Sequence, residues 1–136
     1  MTTPKLTQSV ARAIVEIQEV FPGLTLEVEA DADGGAYVKA HALFIGDQYL
    51  PKESWCAFRI TFQYPYADVY PHYFVPNLAR RDGKPLGTAI NPNHQWQHLE
   101  SIEPATMVSR RSNRLDSSID TAALKLAKVL TWIRST

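Results

Sequence analysis

In Trp55-Cys56-Ala57-Phe58-Arg59-Ile60-Thr61-Phe62-Gln63 the apolar residues fall at every second position. That period places Cys56, Phe58, Ile60 and Phe62 on one face and Trp55, Arg59, Thr61 and Gln63 on the other, as in a strand with one face in a core. Upstream, Leu24, Leu26, Val28 and Ala30 alternate with Thr25, Glu27 and Glu29 and predict a first strand. Asp31-Ala32-Asp33-Gly34-Gly35 reads as a hairpin turn, because glycine supplies positive φ without steric cost. A second strand is predicted over 36–45, with Gly46-Asp47 and Pro51 marking the loop before the third. Before these strands, Leu6, Val10, Ile14, Ile17 and Phe21 keep helical spacing, so a helix is predicted over 6–21, stopped by Pro22-Gly23.

Beyond Pro65 the texture changes. Residues 64–76 are rich in Tyr and Pro, read here as packing and turn residues, with a fourth strand near 72–78. Residues 79–107 hold no sustained period and contain Gly83, Pro85, Gly87, Pro92 and Pro104, which predicts a long irregular segment. A final helix is predicted over 118–134, with Ile119, Ala123, Leu126, Leu130 and Ile133 as its stripe and Ser117 and Asp120 as a variant capping box. Strands in series followed by a helix predict an α+β fold: an N-terminal helix, an antiparallel four-strand meander, a long irregular segment and a C-terminal helix, with both helices on one sheet face.

Composition narrows the function. The chain has 136 residues, a single domain by length, with 14 Lys+Arg against 14 Asp+Glu. A zero net charge argues against a nucleic-acid coat, which needs surplus cations. No apolar run reaches the roughly 18 residues of a membrane span, and no signal-peptide core opens the chain, so a cytoplasmic protein is expected. The single cysteine, Cys56, excludes an internal disulfide and a thiolate-rich zinc site, and its place on an apolar face predicts a buried, inert thiol. The zero is a cancellation: residues 1–53 carry eight acids and four bases, a net of −4, and residues 54–136 carry ten bases and six acids, a net of +4. Charge separated in this way can guide association with charged partners, although small domains also scatter charge unevenly.

The order helix, meander, Phe58-Arg59-Ile60-Thr61-Phe62, Tyr70-Pro71 and then Asn91-Pro92-Asn93 resembles the ubiquitin-conjugating-enzyme family. In that family a similar third strand is followed by a Tyr-Pro turn, a His-Pro-Asn triplet, the catalytic cysteine and a helix. This chain has Asn91 where the family has His, and no cysteine after the triplet. Met107-Val108-Ser109-Arg110-Arg111-Ser112-Asn113-Arg114 stands where the nucleophile belongs, and it is similar to bacterial conjugating-enzyme-like proteins of antiphage operons that lack the catalytic cysteine. The resemblance implies a carrier that receives the C-terminus of a ubiquitin-like protein from an activating enzyme, holds it as an oxyester on Ser109 or Ser112, and passes it to an acceptor.

A serine hydroxyl is a poor nucleophile at neutral pH and needs a base or a positively polarised site. Arg110, Arg111 and Arg114 are candidates to stabilise a developing oxyanion or to bind the donor's carboxyl end. Asn113 or Asn93 is a candidate donor to the tetrahedral oxygen, the role the family gives its triplet asparagine. His94 and His98 are the candidate bases, with His72 a weaker one. Trp96 either anchors its segment on the sheet or belongs to a partner surface. The four-residue spacing of His94 and His98 suits a metal pair on a helix, but Pro92 argues against a helix there, so neither metal nor cofactor is expected. Arg80, Arg81 and Lys84 suit either an acidic partner or a solvated loop. Two further readings remain: a non-catalytic binding module like the ubiquitin-conjugating variants and RWD domains, and a small Ser/His hydrolase, against which the lack of a Gly-x-Ser-x-Gly elbow counts.

Overall fold

A computed structural model describes residues 5–136. In chain order its elements are α1 (Gln8–Val20), β1 (Leu26–Ala30), β2 (Ala36–Phe44), β3 (Tyr49–Leu50), β4 (Glu53–Ile60), β5 (His72–Phe74), β6 (Ala79–Arg80), β7 (Ile90–His98), β8 (Ser101–Val108) and α2 (Ala122–Arg134). Six strands form one antiparallel sheet in the order β1-β2-β4-β5-β8-β7, and β3 pairs with β6 in a separate two-stranded ribbon. The fold is α+β, with a helix first and a helix last.

The alternation read from the third strand is what builds the core. Cys56, Phe58 and Ile60 of β4, Val38 and Ala40 of β2, Phe74 of β5 and Val108 of β8 meet Val10, Ile14 and Ile17 of α1 and Leu126, Leu130 and Ile133 of α2. Each fully buried large side chain contributes about 1.5–3 kcal/mol of transfer free energy. Cys56 is buried, and desolvation pushes its thiol far above the ordinary value. The opposite face has no helix over it. There Trp96 and Ala105 pack on Ala57, flanked by Tyr37, Trp55 and Tyr73. Phe62 does not join the core as expected: β4 ends at Ile60, the chain turns at Thr61–Tyr66, and Phe62 is 52% exposed.

The 31–35 turn forms as read. Asp31 is buried, and its Oδ1 accepts the N–H groups of Asp33 at 2.8 Å and Gly35 at 2.9 Å, while Oδ2 accepts from Arg59 Nη2 at 2.9 Å. Burial alone would raise the Asp31 carboxyl, but these donors outweigh it and hold it below its usual range. Gly35 is required: a Cβ there would lie 2.5 Å from the Ile60 carbonyl and 2.6 Å from Asp31 Oδ2.

Two further expectations are overturned. Residues 79–107 are not irregular: they hold β6, all of β7 and most of β8, so the sheet has six strands rather than a four-strand meander. The hairpin turn is Leu99-Glu100, with Leu99 at φ 53° in place of a glycine signal. β7 is an edge strand with most side chains exposed, so it needs no apolar period, and it carries a bulge between Asn91 and His94. Pro104 lies beyond β5, which pairs only with residues 106–108, on a flank of β8 with no neighbouring strand, where proline is tolerated. The second correction concerns the last helix. It starts at Ala122 with Thr121 as its cap, whose Oγ1 accepts the Leu124 N–H at 3.1 Å. Ser117 and Asp120 precede it, Asp120 accepts the Asp116 N–H at 2.7 Å, and Ile119 is exposed outside the helix. No helix among the described residues is long and apolar enough to cross a membrane.

Candidate functional site

β8 ends where the Ser109 N–H donates to the Ala89 carbonyl at 2.9 Å. From there a loop crosses to α2, and its first residues fan out over both neighbours. The Arg110 guanidinium lies 4.7 Å from the centre of the Trp132 ring, and that of Arg111 lies 4.5 Å from the centre of Tyr70. Ser112 is tied down by three hydrogen bonds. Its N–H donates to Asp68 Oδ2 at 2.7 Å, its hydroxyl donates to Asp68 Oδ1 at 2.9 Å, and Lys125 Nζ donates to its Oγ at 3.0 Å. Lys125 also pairs with Asp68 Oδ2 at 3.1 Å.

Lys125 sits on the packed face of α2 with its side chain 8% exposed, three residues after Ala122 and four before Val129. Asp68 comes from the Tyr- and Pro-rich stretch between β4 and β5. That stretch is also fixed to the helix by Tyr64, whose Oη accepts the Ala122 N–H at 3.0 Å. Burial would raise the Asp68 carboxyl, but the Ser112 amide and hydroxyl and the Lys125 ammonium together hold it below its usual range. Asp68 therefore stays ionised at neutral pH, an acceptor that orients the hydroxyl more than a strong base. The same region forms a cavity of about 340 Å³, walled by residues 110–114 on one side and by Asp120, Lys125, Lys128, Val129 and Trp132 on the other.

The sequence-predicted site residues thus divide into two groups. Ser112, Asn113, Arg110, Arg111 and Arg114 share the cavity. Ser109 stands next to it: the Arg111 guanidinium first, and the Ser109 hydroxyl second, lower the Tyr70 phenol from its ordinary value. Asn93 and His94 lie elsewhere, in a shallow concavity with Tyr73, Gln95, Gln97 and Pro104 on the helix-free side of the sheet. Asn91-Pro92-Asn93 occupies the β7 bulge, where Asn91 Oδ1 accepts the Asn93 N–H at 3.0 Å. His94 packs on Tyr73, and His98 pairs with Glu29 at 2.8 Å. Trp96 is 4% exposed between Tyr37 and Tyr73, so it anchors β7 on the sheet. His72 is fully buried with no hydrogen-bond partner on either ring nitrogen, and burial pushes it down to about 3. No histidine reaches either serine by a hydrogen bond; the groups on the Ser112 hydroxyl are Lys125 and Asp68.

Those two residues escaped the sequence reading. Lys125 left a signal, a charge on the apolar stripe of an amphipathic helix, which marks a buried lysine with a partner. Asp68 left none, because a lone acid in a turn-rich stretch is ordinary. Chemically, the pair places a hydroxyl between an acceptor and a cationic donor at the edge of a basic cavity, an arrangement that can support nucleophilic attack and stabilise the resulting oxyanion. No three His, Cys, Asp or Glu side chains among the described residues converge to hold a metal ion. No protein-family model, curated protein or solved structure matches the chain.

Proposed function

We propose that this chain is a ubiquitin-conjugating-like carrier of a bacterial ubiquitination-like antiphage pathway, and that Ser112 is the residue that takes the donor. The observation that carries the reading is the Ser112 hydroxyl itself, held between Asp68 Oδ1 and Lys125 Nζ beside Arg110, Arg111 and Arg114. The order of helix, meander, Tyr70-Pro71 and Asn91-Pro92-Asn93 supports the family; the serine geometry supports the chemistry.

In this reading an activating enzyme presents the C-terminus of a ubiquitin-like protein as a thioester. Ser112 Oγ, oriented by Asp68, attacks the carbonyl carbon; the new O–C bond forms as the C–S bond breaks, and the hydroxyl proton passes to the departing thiolate. Lys125 and the Asn113 amide stabilise the tetrahedral oxygen. An acceptor amine then attacks the ester, the O–C bond breaks, and the proton lost by the amine passes to Ser112 Oγ. A serine ester is less reactive toward amines than a thioester, so cationic donors around the carbonyl carry more of the catalysis than they do in a cysteine enzyme. Ser109, drawn toward Tyr70, has no part in the transfer.

The test is an incubation with ATP, an activating enzyme and a ubiquitin-like donor, followed by gel and mass analysis. The expected product is a one-to-one adduct that survives reductant, is cleaved by mild base and maps to Ser112. Ser112→Ala abolishes it and Ser109→Ala leaves it. An adduct that persists in Ser112→Ala would refute the assignment.

One observation favours a second reading. Asp68 takes the Ser112 amide as well as its hydroxyl, so the same contacts also staple the loop to α2. A non-catalytic, RWD-like module that scaffolds an activating enzyme or ubiquitin-like protein would need only that staple. It predicts partner binding that survives Ser112→Ala and no ATP-dependent adduct.

A further inference from the structure

The cavity beside Ser112 carries more cationic charge than the protein uses. Among the described residues its two nearby carboxylates are already engaged: Asp68 with Lys125 at 3.1 Å and Asp120 with Lys128 at 3.6 Å. Arg110, Arg111 and Arg114 have no carboxylate within 4.0 Å. Three like charges on five consecutive residues repel one another, and among the described residues no carboxylate relieves them.

Two of the three guanidiniums are also held in position. Arg110 lies over Trp132 and Arg111 over Tyr70, so both guanidiniums are partly immobilised on aromatic rings, Arg111 with the Tyr70 hydroxyl as a polar neighbour. Planar, charged donors of this kind match phosphate and carboxylate oxygens, and their partial immobilisation lowers the ordering cost of binding. Three cations suit a dianion better than a single carboxylate. The cavity, about 340 Å³, is at the small end of the range that holds small-molecule ligands, and it has an apolar wall in Val129 and Trp132.

We propose that residues 110–114 and α2 form a binding site for a phosphate monoester. The phosphate sits on Arg110, Arg111 and Arg114, and the organic part lies against Val129 and Trp132. The site does not depend on the carrier reading, since it requires the arginines and the cavity but no acylation of Ser112. A ligand bound there lies against Ser112 and competes with any donor.

The test is calorimetry on the whole chain with three probes: inorganic phosphate, adenosine 5′-monophosphate and acetate. Both phosphates are expected to bind saturably, the ester more tightly than inorganic phosphate, with acetate at least about tenfold weaker than either. Added salt weakens binding. Replacing Arg110, Arg111 and Arg114 together by Gln lowers affinity for both phosphates by at least about tenfold, while Arg12→Gln, an exposed cation on α1 outside the cavity, changes it by less than about threefold. Because a triple change can disturb the loop, Arg114→Gln alone, at an exposed side chain with no hydrogen bond, serves as the second variant and weakens binding measurably with an unchanged melting curve. The proposal fails if neither phosphate saturates, if acetate binds as well, if inorganic phosphate binds but the ester does not, or if the variants of the cavity arginines bind like the parent chain. The carrier reading is tested by the adduct alone, so either can fail without the other.

Discussion

Lys125→Met removes one ammonium and keeps most of an apolar stem, so it isolates the charge at the centre of the site. The side chains involved are 8% exposed for Lys125 and 22% for Asp68. Breaking a fully buried ion pair costs about 3–5 kcal/mol, because the remaining charge is left uncompensated. Here Asp68 keeps partial contact with water and retains the Ser112 amide and hydroxyl, so the expected loss is smaller, about 2–3 kcal/mol at pH 7. For a chain of this size that corresponds to a fall in melting temperature of roughly 10 °C. Adding Asp68→Asn to Lys125→Met takes away the stranded charge, and the double variant recovers about 1 kcal/mol or more relative to Lys125→Met alone. The pH dependence has a defined sign. Asp68 is depressed in the folded chain, so it contributes stability above the ordinary carboxyl range and loses it as pH falls through its lower folded value. In Lys125→Met the carboxyl titrates higher, and the gap between parent and variant narrows as the pH is lowered from 6 towards 3. Urea unfolding followed by circular dichroism measures each quantity. A loss below about 0.5 kcal/mol at pH 7, or a double variant no more stable than Lys125→Met, would refute the account of how the Ser112 hydroxyl is held.

Other regions give independent tests. His72, pushed down to about 3, is neutral in the fold, and its protonation favours the unfolded chain once pH falls below about 6.5; His72→Leu should remove about 2–3 kcal/mol of acid sensitivity between pH 6.5 and 4.5, measured by unfolding at each pH. Gly35→Ala drives a methyl group into the Ile60 carbonyl and Asp31, so it should lower stability by about 2 kcal/mol or more in thermal denaturation; a neutral outcome would mean the turn shifts freely. Cys56 should react with a thiol reagent only as fast as the native chain opens, and a rapid stoichiometric reaction would contradict its burial.

What could be read in advance follows the strength of the local physics. The alternation over 55–60 and the 6–21 stripe were legible because Cys56, Phe58 and Ile60, like Val10, Ile14 and Ile17, face one core and must repeat with the backbone period. The β7–β8 hairpin was not. Its turn is Leu99-Glu100 rather than a glycine pair, its edge strand buries little beyond Ile90 and Trp96, and its prolines fall at a bulge and on an unpaired flank. Thr121 displaced the Ser117–Asp120 pair because a cap must stand directly before the first helical residue, and no apolar period fixed where that residue was. At the site, the Ser112-Asn113 run and its arginines were legible as local chemistry. Their partners were not, since Asp68 lies 44 residues away in sequence and the β7–β8 hairpin places His94 on the helix-free side of the sheet.

The three residues of β5 carry a disproportionate duty. They are the only strand between β1-β2-β4 and β7-β8, with two residue pairs on one side and three on the other. Few ladder bonds join the halves there, so side chains reaching across carry part of the joint: Lys39 pairs with Glu103 at 2.9 Å and His98 with Glu29 at 2.8 Å. Trp96, reaching across from β7 to lie on Ala57, works as a clasp over that seam. The loop that bears Ser112 leaves from the end of β8 and arrives at α2, so the Asp68 and Lys125 contacts on that serine join the far side of the seam to the helix layer.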